Sequence, residues 1–256
     1  MLPIQVPRQF RIIAHRGASA YAPENTQAAF DLALRMGARE IETDVQLTTD
    51  GQAVLCHDRT LARYDHGDRV VEETTWADLC ELDMGSWFSP FLYRNERMMT
   101  LDGLLARYGP SLTYHLELKG QAAGLPESVA QAVARHNLQD RCIITSFSLA
   151  SLEAMKRAAP SNSTSSLRLG WLIQRIDDES LAVAQRLGLV QLCPRADQVD
   201  RAAVAAALCV VPEVRAWGVS GSPAEVRRLI RTVAEAGAHG LTLDWPDWAC
   251  HRPNGE

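Results

Sequence analysis

Nowhere in these 256 residues is there an apolar run approaching the ~20 needed to cross a bilayer. Met1 to Phe10 also lacks the long apolar core of an export signal. Both absences lead to the expectation of a soluble, cytoplasmic protein with no transmembrane segment. The six cysteines (Cys56, Cys80, Cys142, Cys193, Cys209 and Cys250) contain no Cys-x-x-Cys pair, so neither a zinc knuckle nor a thioredoxin-like redox motif is expected. Cys56 adjoins His57, but strand alternation sends the two side chains to opposite faces, which argues against a catalytic thiol. Net charge is −5 and the basic residues are scattered. With no cationic stripe to track a phosphate backbone, nucleic acid is not an expected partner. No feature sets an oligomeric state.

What is present is enough apolar material, 46 % of residues, for one large core. Arg11 to Ala14 reads as a short strand, and Ala29, Leu32, Ala33 and Met36 repeat at helical spacing after Pro23. Strand-like and helical stretches then alternate: a strand at Thr113 to Lys119, a helix marked by Leu125, Val129, Ala132 and Val133, and so on to a strand at Gly240 to Asp244. Ser222-Pro223-Ala224-Glu225 combines a capping box with proline at the first helical position, the best-specified helix start in the chain. About eight such units predict an α/β fold, a (β/α)₈ TIM barrel forming a single domain over residues 1–256. The weakly periodic stretch at about 59–100 reads as an insertion, returning to the scaffold through a helix over Leu101 to Tyr108 capped by Thr100. Ser161 to Ser166 reads as a polar loop.

Three clusters end strand-like runs in the first half: His15-Arg16-Gly17, Glu42-Thr43-Asp44 with His57-Asp58 behind it, and Glu117-Leu118-Lys119. Alternation places Glu42 and Asp44 on one strand face about 7 Å apart, a spacing at which two carboxylates can share one cation. Asp50-Gly51 signals a hairpin. If those two residues form the loop, residue 49 faces 52 and, further down, Asp44 faces His57. In a barrel of this kind the site lies at the C-terminal strand ends, where His15, Glu42, Asp44, Glu117, Lys119 and Trp217 fall.

These motifs, taken with Pro23-Glu24-Asn25-Thr26, Thr145-Ser146-Phe147-Ser148, Val214-Arg215-Ala216-Trp217 and Leu241-Thr242-Leu243-Asp244-Trp245-Pro246, resemble those of the glycerophosphodiester phosphodiesterase family in order along nearly the whole chain. The resemblance implies a barrel with an insertion after the second strand and metal-dependent cleavage of a small glycerophosphodiester to glycerol 3-phosphate and an alcohol. It also implies Glu42, Asp44 and Glu117 as ligands of one divalent cation, His15 and His57 as proton-handling residues, Arg16 and Lys119 as phosphate contacts, and Trp217 as a pocket aromatic. The chain departs from the pattern at Met99, where proline is usual, at Arg63-Tyr64-Asp65 and at Gly218-Val219-Ser220.

The residue chemistry agrees with that assignment. Three carboxylates offer only hard oxygen donors, which suit Mg²⁺ or Ca²⁺ better than zinc. Arginine can engage two phosphate oxygens where lysine acts as a point charge. Hydrolysis also needs one group to take a proton and another to give one, and imidazole can do either. Plainer readings stand beside these. Lys119 could merely pair with Glu117, and Trp217 could be packing. Asp58 could orient His57 or end its strand, His115 reads as core, Glu24 or Asn25 as the cap of the first helix, and Asp244 with Pro246 as barrel closure. Two other functions fit the same barrel: a lysophospholipase D-like hydrolase with Trp87, Phe88, Phe91 and Leu92 lining an acyl groove, and a catalytically silent phosphate- or lipid-binding module.

Overall fold

The computed structural model describes residues 3–158 and 167–251, so the polar loop expected at Ser161 to Ser166 lies outside the described residues. The strands are β1 (Ile4–Val6), β2 (Arg11–His15), β3 (Glu40–Leu47), β4 (Ala53–Leu55), β5 (Thr113–Leu118), β6 (Cys142–Ser146), β7 (Arg168–Ile173), β8 (Gln191–Pro194), β9 (Glu213–Ala216), β10 (Gly240–Leu243) and β11 (Ala249–His251). The helices are α1 (Gln27–Arg35), α2 (Trp76–Leu79), α3 (Leu101–Tyr108), α4 (Leu125–Arg135), α5 (Leu149–Ala158), α6 (Asp178–Leu187), α7 (Arg201–Ala207) and α8 (Pro223–Glu235).

Eight strands pair in parallel in the order β2, β10, β9, β8, β7, β6, β5, β3, and β3 pairs back with β2 to close a barrel. One set of alternate strand residues, including Ile41, Val45, Tyr114, Leu116, Ile144, Leu192, Val214 and Leu241, packs outward with the helices into the main core. The other set occupies the barrel interior and is largely polar: Glu42, Asp44, His115, Glu117, Thr145, Gln191, Glu213, Arg215 and Thr242 are all buried. His115 is core as expected, with Nε2 2.9 Å from Glu40 Oε2. The small sheet of β1 with β11 had no signal in the periodicity. Among the described residues no helix is long and apolar enough to cross a membrane.

The hairpin register differs from the expected one. Val45, Gln46 and Leu47 face Leu55, Val54 and Ala53, one residue out of step. The loop has three residues, Thr49, Asp50 and Gly51, closed by hydrogen bonds from Gly51 N to Thr48 O and from Thr48 N to Gln52 O, with Gly51 at φ +85°. Asp-Gly serves this turn-plus-bulge as well as the two-residue turn, so the dipeptide alone does not set the register. Cys56, not His57, therefore stands opposite Asp44, with Cys56 N donating to Asp44 O. Cys56 is buried and its thiol is pushed up to about 12 by burial, which leaves it inert.

Between β4 and α3 the insertion folds on a small core of its own: Val54, Cys56, Leu61, Tyr64, Val71, Leu79, Met84 and Met98. Trp87 and Phe88 belong to an edge-to-face ladder running from Tyr64 to Tyr93, whereas Phe91 and Leu92 are exposed. The return helix α3 begins as expected, with Thr100 accepting from Gly103 N. The α8 capping box of Ser222 and Glu225 also forms.

Candidate active site

Glu42 and Asp44 on β3 and Glu117 on β5 converge at the barrel mouth. One carboxylate oxygen from each lies within 4.8 Å of the others, an arrangement that could hold a metal ion. Register explains the meeting, because Asp44 and Glu117 are direct partners in the parallel pair and Glu42 is two residues back on the same face. All three are buried, and Glu42 Oε2 and Asp44 Oδ1 have no hydrogen-bond partner. Two buried carboxylate oxygens without a hydrogen bond are costly unless a cation covers them. An all-oxygen set of this kind fits a hard divalent cation.

The electrostatics carry the same signature. Burial first, and then the charge of Asp44, raise both Glu42 and Glu117 above the usual carboxylate range. Burial also acts to raise Asp44, but Arg16, His57 and Lys119 outweigh it and hold Asp44 low. Three crowded carboxylates with one held ionised form a site that gains by taking up positive charge.

Arg16 and Lys119 supply fixed cations beside the triad. Arg16, in a turn with φ +54°, places Nη1 2.9 Å from Glu24 Oε2 and Nε 3.0 Å from Asp44 Oδ2. Lys119 Nζ is 2.9 Å from Glu117 Oε1 and 3.9 Å from Asp44 Oδ1, and it lies over the Phe147 ring at 5.6 Å. It is thus more than a pair to Glu117, bridging two of the three acids. A cleft of ≈ 380 Å³ opens here, lined by Glu117, Lys119, Ser146 and Phe147 among others.

Each histidine has an aspartate on Nδ1. His15 Nδ1 is 2.5 Å from Asp244 Oδ1, and its Nε2 reaches to 3.8 Å from Glu42 Oε2. Burial works against its charged form, but Asp244 and Glu42 win and raise it. His57 Nδ1 is 2.5 Å from Asp58 Oδ1, so Asp58 orients the ring rather than only ending a strand. Burial lowers His57, although Asp44 pulls the other way. Despite the shifted register His57 still senses Asp44, because β4 ends at Leu55 and the chain turns after Cys56; Gln46 Nε2 holds that turn by donating to Cys56 O and Asp58 O, both at 2.8 Å.

Several supporting residues escaped sequence reasoning. Asp244, expected only to close the barrel, holds His15 and accepts from Ser19 Oγ at 3.2 Å. Neither Glu24 nor Asn25 caps α1; Thr26 does, accepting from Ala29 N. Asn25, at φ +57°, instead donates to Asp44 Oδ2 at 3.0 Å and accepts from Thr43 Oγ1 at 2.7 Å, while Glu24 pairs with Arg16. Trp217 is half-buried, donates Nε1 to Ile173 O at 2.9 Å and packs edge-to-face on Phe147. It thus stands behind Phe147, the ring over which Lys119 lies.

The profile of the glycerophosphoryl diester phosphodiesterase family matches residues 15–248. Protein YhdW of Bacillus subtilis (strain 168) is 43 % identical over 152 residues, 59 % of this chain and 62 % of that one. Matches to the first curated relatives span about three fifths to two thirds of their lengths. Among solved structures, a glycerophosphodiester phosphodiesterase from Agrobacterium tumefaciens str. C58 superposes with TM-score 0.78 at 26 % identity, covering 93 % of this chain and 98 % of that one. An Oleispira antarctica phosphodiesterase in complex with the product sn-glycerol-3-phosphate superposes with TM-score 0.77 at 27 % identity, covering 94 % of each chain.

Proposed function

Since the chain belongs to the glycerophosphoryl diester phosphodiesterase family, we propose that it hydrolyses glycerophosphodiesters to sn-glycerol 3-phosphate and an alcohol, using one divalent cation, Mg²⁺ or Ca²⁺, held by Glu42, Asp44 and Glu117. The observation that carries this reading is the meeting of three buried carboxylates, two with bare oxygens, inside a ring of Arg16, Lys119 and two aspartate-backed histidines. The product bound by the Oleispira antarctica enzyme supports the choice of glycerol 3-phosphate. We also read the chain as one barrel domain that carries the insertion.

A phosphodiester is an anion that repels an attacking oxygen. When bound, the cation supplies positive charge against the phosphoryl oxygens and eases that attack. Arg16 and Lys119 add fixed charge that needs no reorganisation at the moment of reaction. Arg16 can use a second guanidinium nitrogen while Glu24 keeps the first in place. His15 and His57, each with Nδ1 committed to an aspartate, retain Nε2 for the proton taken from the nucleophile and the proton given to the leaving alcohol. Phe147 walls the cleft beside Lys119, and Trp217 packs edge-to-face on that ring.

The experiment is release of glycerol 3-phosphate from glycerophosphocholine by purified protein, lost with a chelator and restored separately by Mg²⁺ and by Ca²⁺. Binding without turnover would point to the silent phosphate-binding module instead. Lysophosphatidylcholine, run in parallel, tests the lysophospholipase D-like reading. Trp87 and Phe88 are committed to the insertion's own ladder, so that lipid is expected to be the poorer substrate.

A further inference from the structure

His57 and Asp58 are neighbours in sequence and lie in the turn that follows Cys56, where the two side chains meet at Nδ1 and Oδ1. Asp58 is itself partly open to water, so its carboxylate has other orientations open to it unless a partner fixes the one on His57. The backbone of this turn is fixed by Gln46. The carboxylate is held from the insertion: Arg63 Nε lies 2.9 Å from Asp58 Oδ2 and its Nη2 donates to Oδ1 at 3.4 Å. The remaining arm, Nη1, donates to Glu24 Oε2 at 3.0 Å. Glu24 is in turn anchored by Arg16 Nη1 at 2.9 Å and by the hydroxyl of Tyr64, which donates to Oε1 at 2.7 Å. Tyr64 is buried in the insertion's core and packs edge-to-face on Trp87. A single guanidinium thus spans two carboxylates, one backing the histidine and the other backing the phosphate clamp, and it is delivered by a segment outside the barrel.

We infer that Arg63 is a positioning residue, through which the insertion holds Asp58 against His57 Nδ1 and so presents the Nε2 face of that ring to the reaction. The inference rests on the proton-handling role proposed for His57, but the ring geometry can be read without any turnover. Glu24 keeps Arg16 and Tyr64 when Arg63 is lost, so phosphate binding is spared and the loss falls on the proton step.

The test compares Arg63→Gln, Arg63→Lys, Asp58→Asn and the Asp58→Asn/Arg63→Gln double variant with the wild-type full chain. Arg63→Gln is expected to lower kcat about tenfold, the usual scale for an outer hydrogen-bond partner of a site residue, with KM within about twofold of wild type. Arg63→Lys, which keeps the charge but not the fork, recovers part of kcat. The double variant is no slower than Asp58→Asn alone, because Arg63 acts through that carboxylate. Independently, nitrogen-detected NMR of the His57 ring without substrate, at pH 8, shows the Nδ1-protonated tautomer in the wild type and a mixture in Arg63→Gln. Wild-type kcat in Arg63→Gln, losses that simply add in the double variant, or an unchanged ring tautomer would each overturn the inference. If the wild type turns over no glycerophosphodiester, the functional proposal fails while the tautomer still decides the role of Arg63.

Discussion

His15 and His57 look alike in sequence but stand in opposite surroundings. Burial acts to lower His15, but Asp244 and Glu42 face it and raise it, whereas burial prevails at His57 and lowers it. Two imidazoles pushed apart in this way are suited to hold and to accept a proton at the same pH. His15→Ala and His57→Ala are each expected to lower kcat by roughly 10²-fold or more, and near wild-type turnover in either would remove that residue from the proposed mechanism. Asp244→Asn leaves a hydrogen-bond partner but removes the charge that fixes the tautomer, so its expected loss is smaller, about tenfold in kcat. Steady-state kinetics beside a thermal unfolding curve separates this from misfolding. At Glu42, replacement by Gln removes one of the two carboxylate oxygens left without a hydrogen bond, and activity is expected to vanish, with excess metal restoring it only in part. The convergence of the triad, and the two histidines beside it, were legible in the sequence because each sits in a short motif at or just after a strand end. Asp244 was not, because its contact with His15 spans 229 residues and exists only once β10 closes on β2.

At the level of elements, what could be read was periodicity and the caps of α3 and α8; what could not was the hairpin register, which a single residue of loop length decides. The α3 and α8 starts followed their capping residues, but the hairpin after β3 slipped because Asp-Gly is compatible with two loop lengths. At the start of α1 the sequence offered Glu24 or Asn25 as cap, and cap preference puts asparagine ahead of threonine; the tertiary need of Asp44 for a donor takes Asn25, leaving Thr26 as cap. The same junction depends on Gly17. Its φ is +85°, and a Cβ there would stand 2.6 Å from the backbone carbon of Ala29, because α1 packs directly on the His15-Arg16-Gly17 turn. Gly17→Ala is therefore expected to cost more than ~1 kcal/mol, read as a lower denaturant midpoint at unchanged slope. Activity should fall further than stability alone explains, since the displaced turn carries Arg16. An unchanged midpoint would mean that α1 can shift freely, contrary to this packing.

Across the whole molecule, the barrel puts its fat outside the strands and its charge within, and the charge is sorted by height. The mouth holds the carboxylates left without hydrogen bonds, while at the opposite end Arg11 pairs with Glu213 at 2.7 Å and Glu40 at 3.3 Å, and Arg168 adds a second contact to Glu213 at 3.2 Å. Gln191 Nε2 also donates to Glu213 at 3.1 Å. Burial acts to raise Glu213, but Arg11 and then Arg168 and Gln191 prevail and hold its carboxyl below the usual range. A depressed folded pKa means the unfolded chain takes up the proton first as acid is added. The stabilisation is thus complete above the unfolded value, about 4.3 for a free glutamate, and drains away as pH falls through the lower folded value. Glu213→Gln should consequently be less stable than wild type at pH 7, and the gap in Tm should narrow steadily below about pH 4.3. Activity measured on the folded variant at pH 7 should match wild type, because the change lies at the end of the barrel away from the triad. Thermal unfolding between pH 3 and 7 checks the sign: a gap that stays constant with pH would show that Glu213 acts through packing and not through its charge.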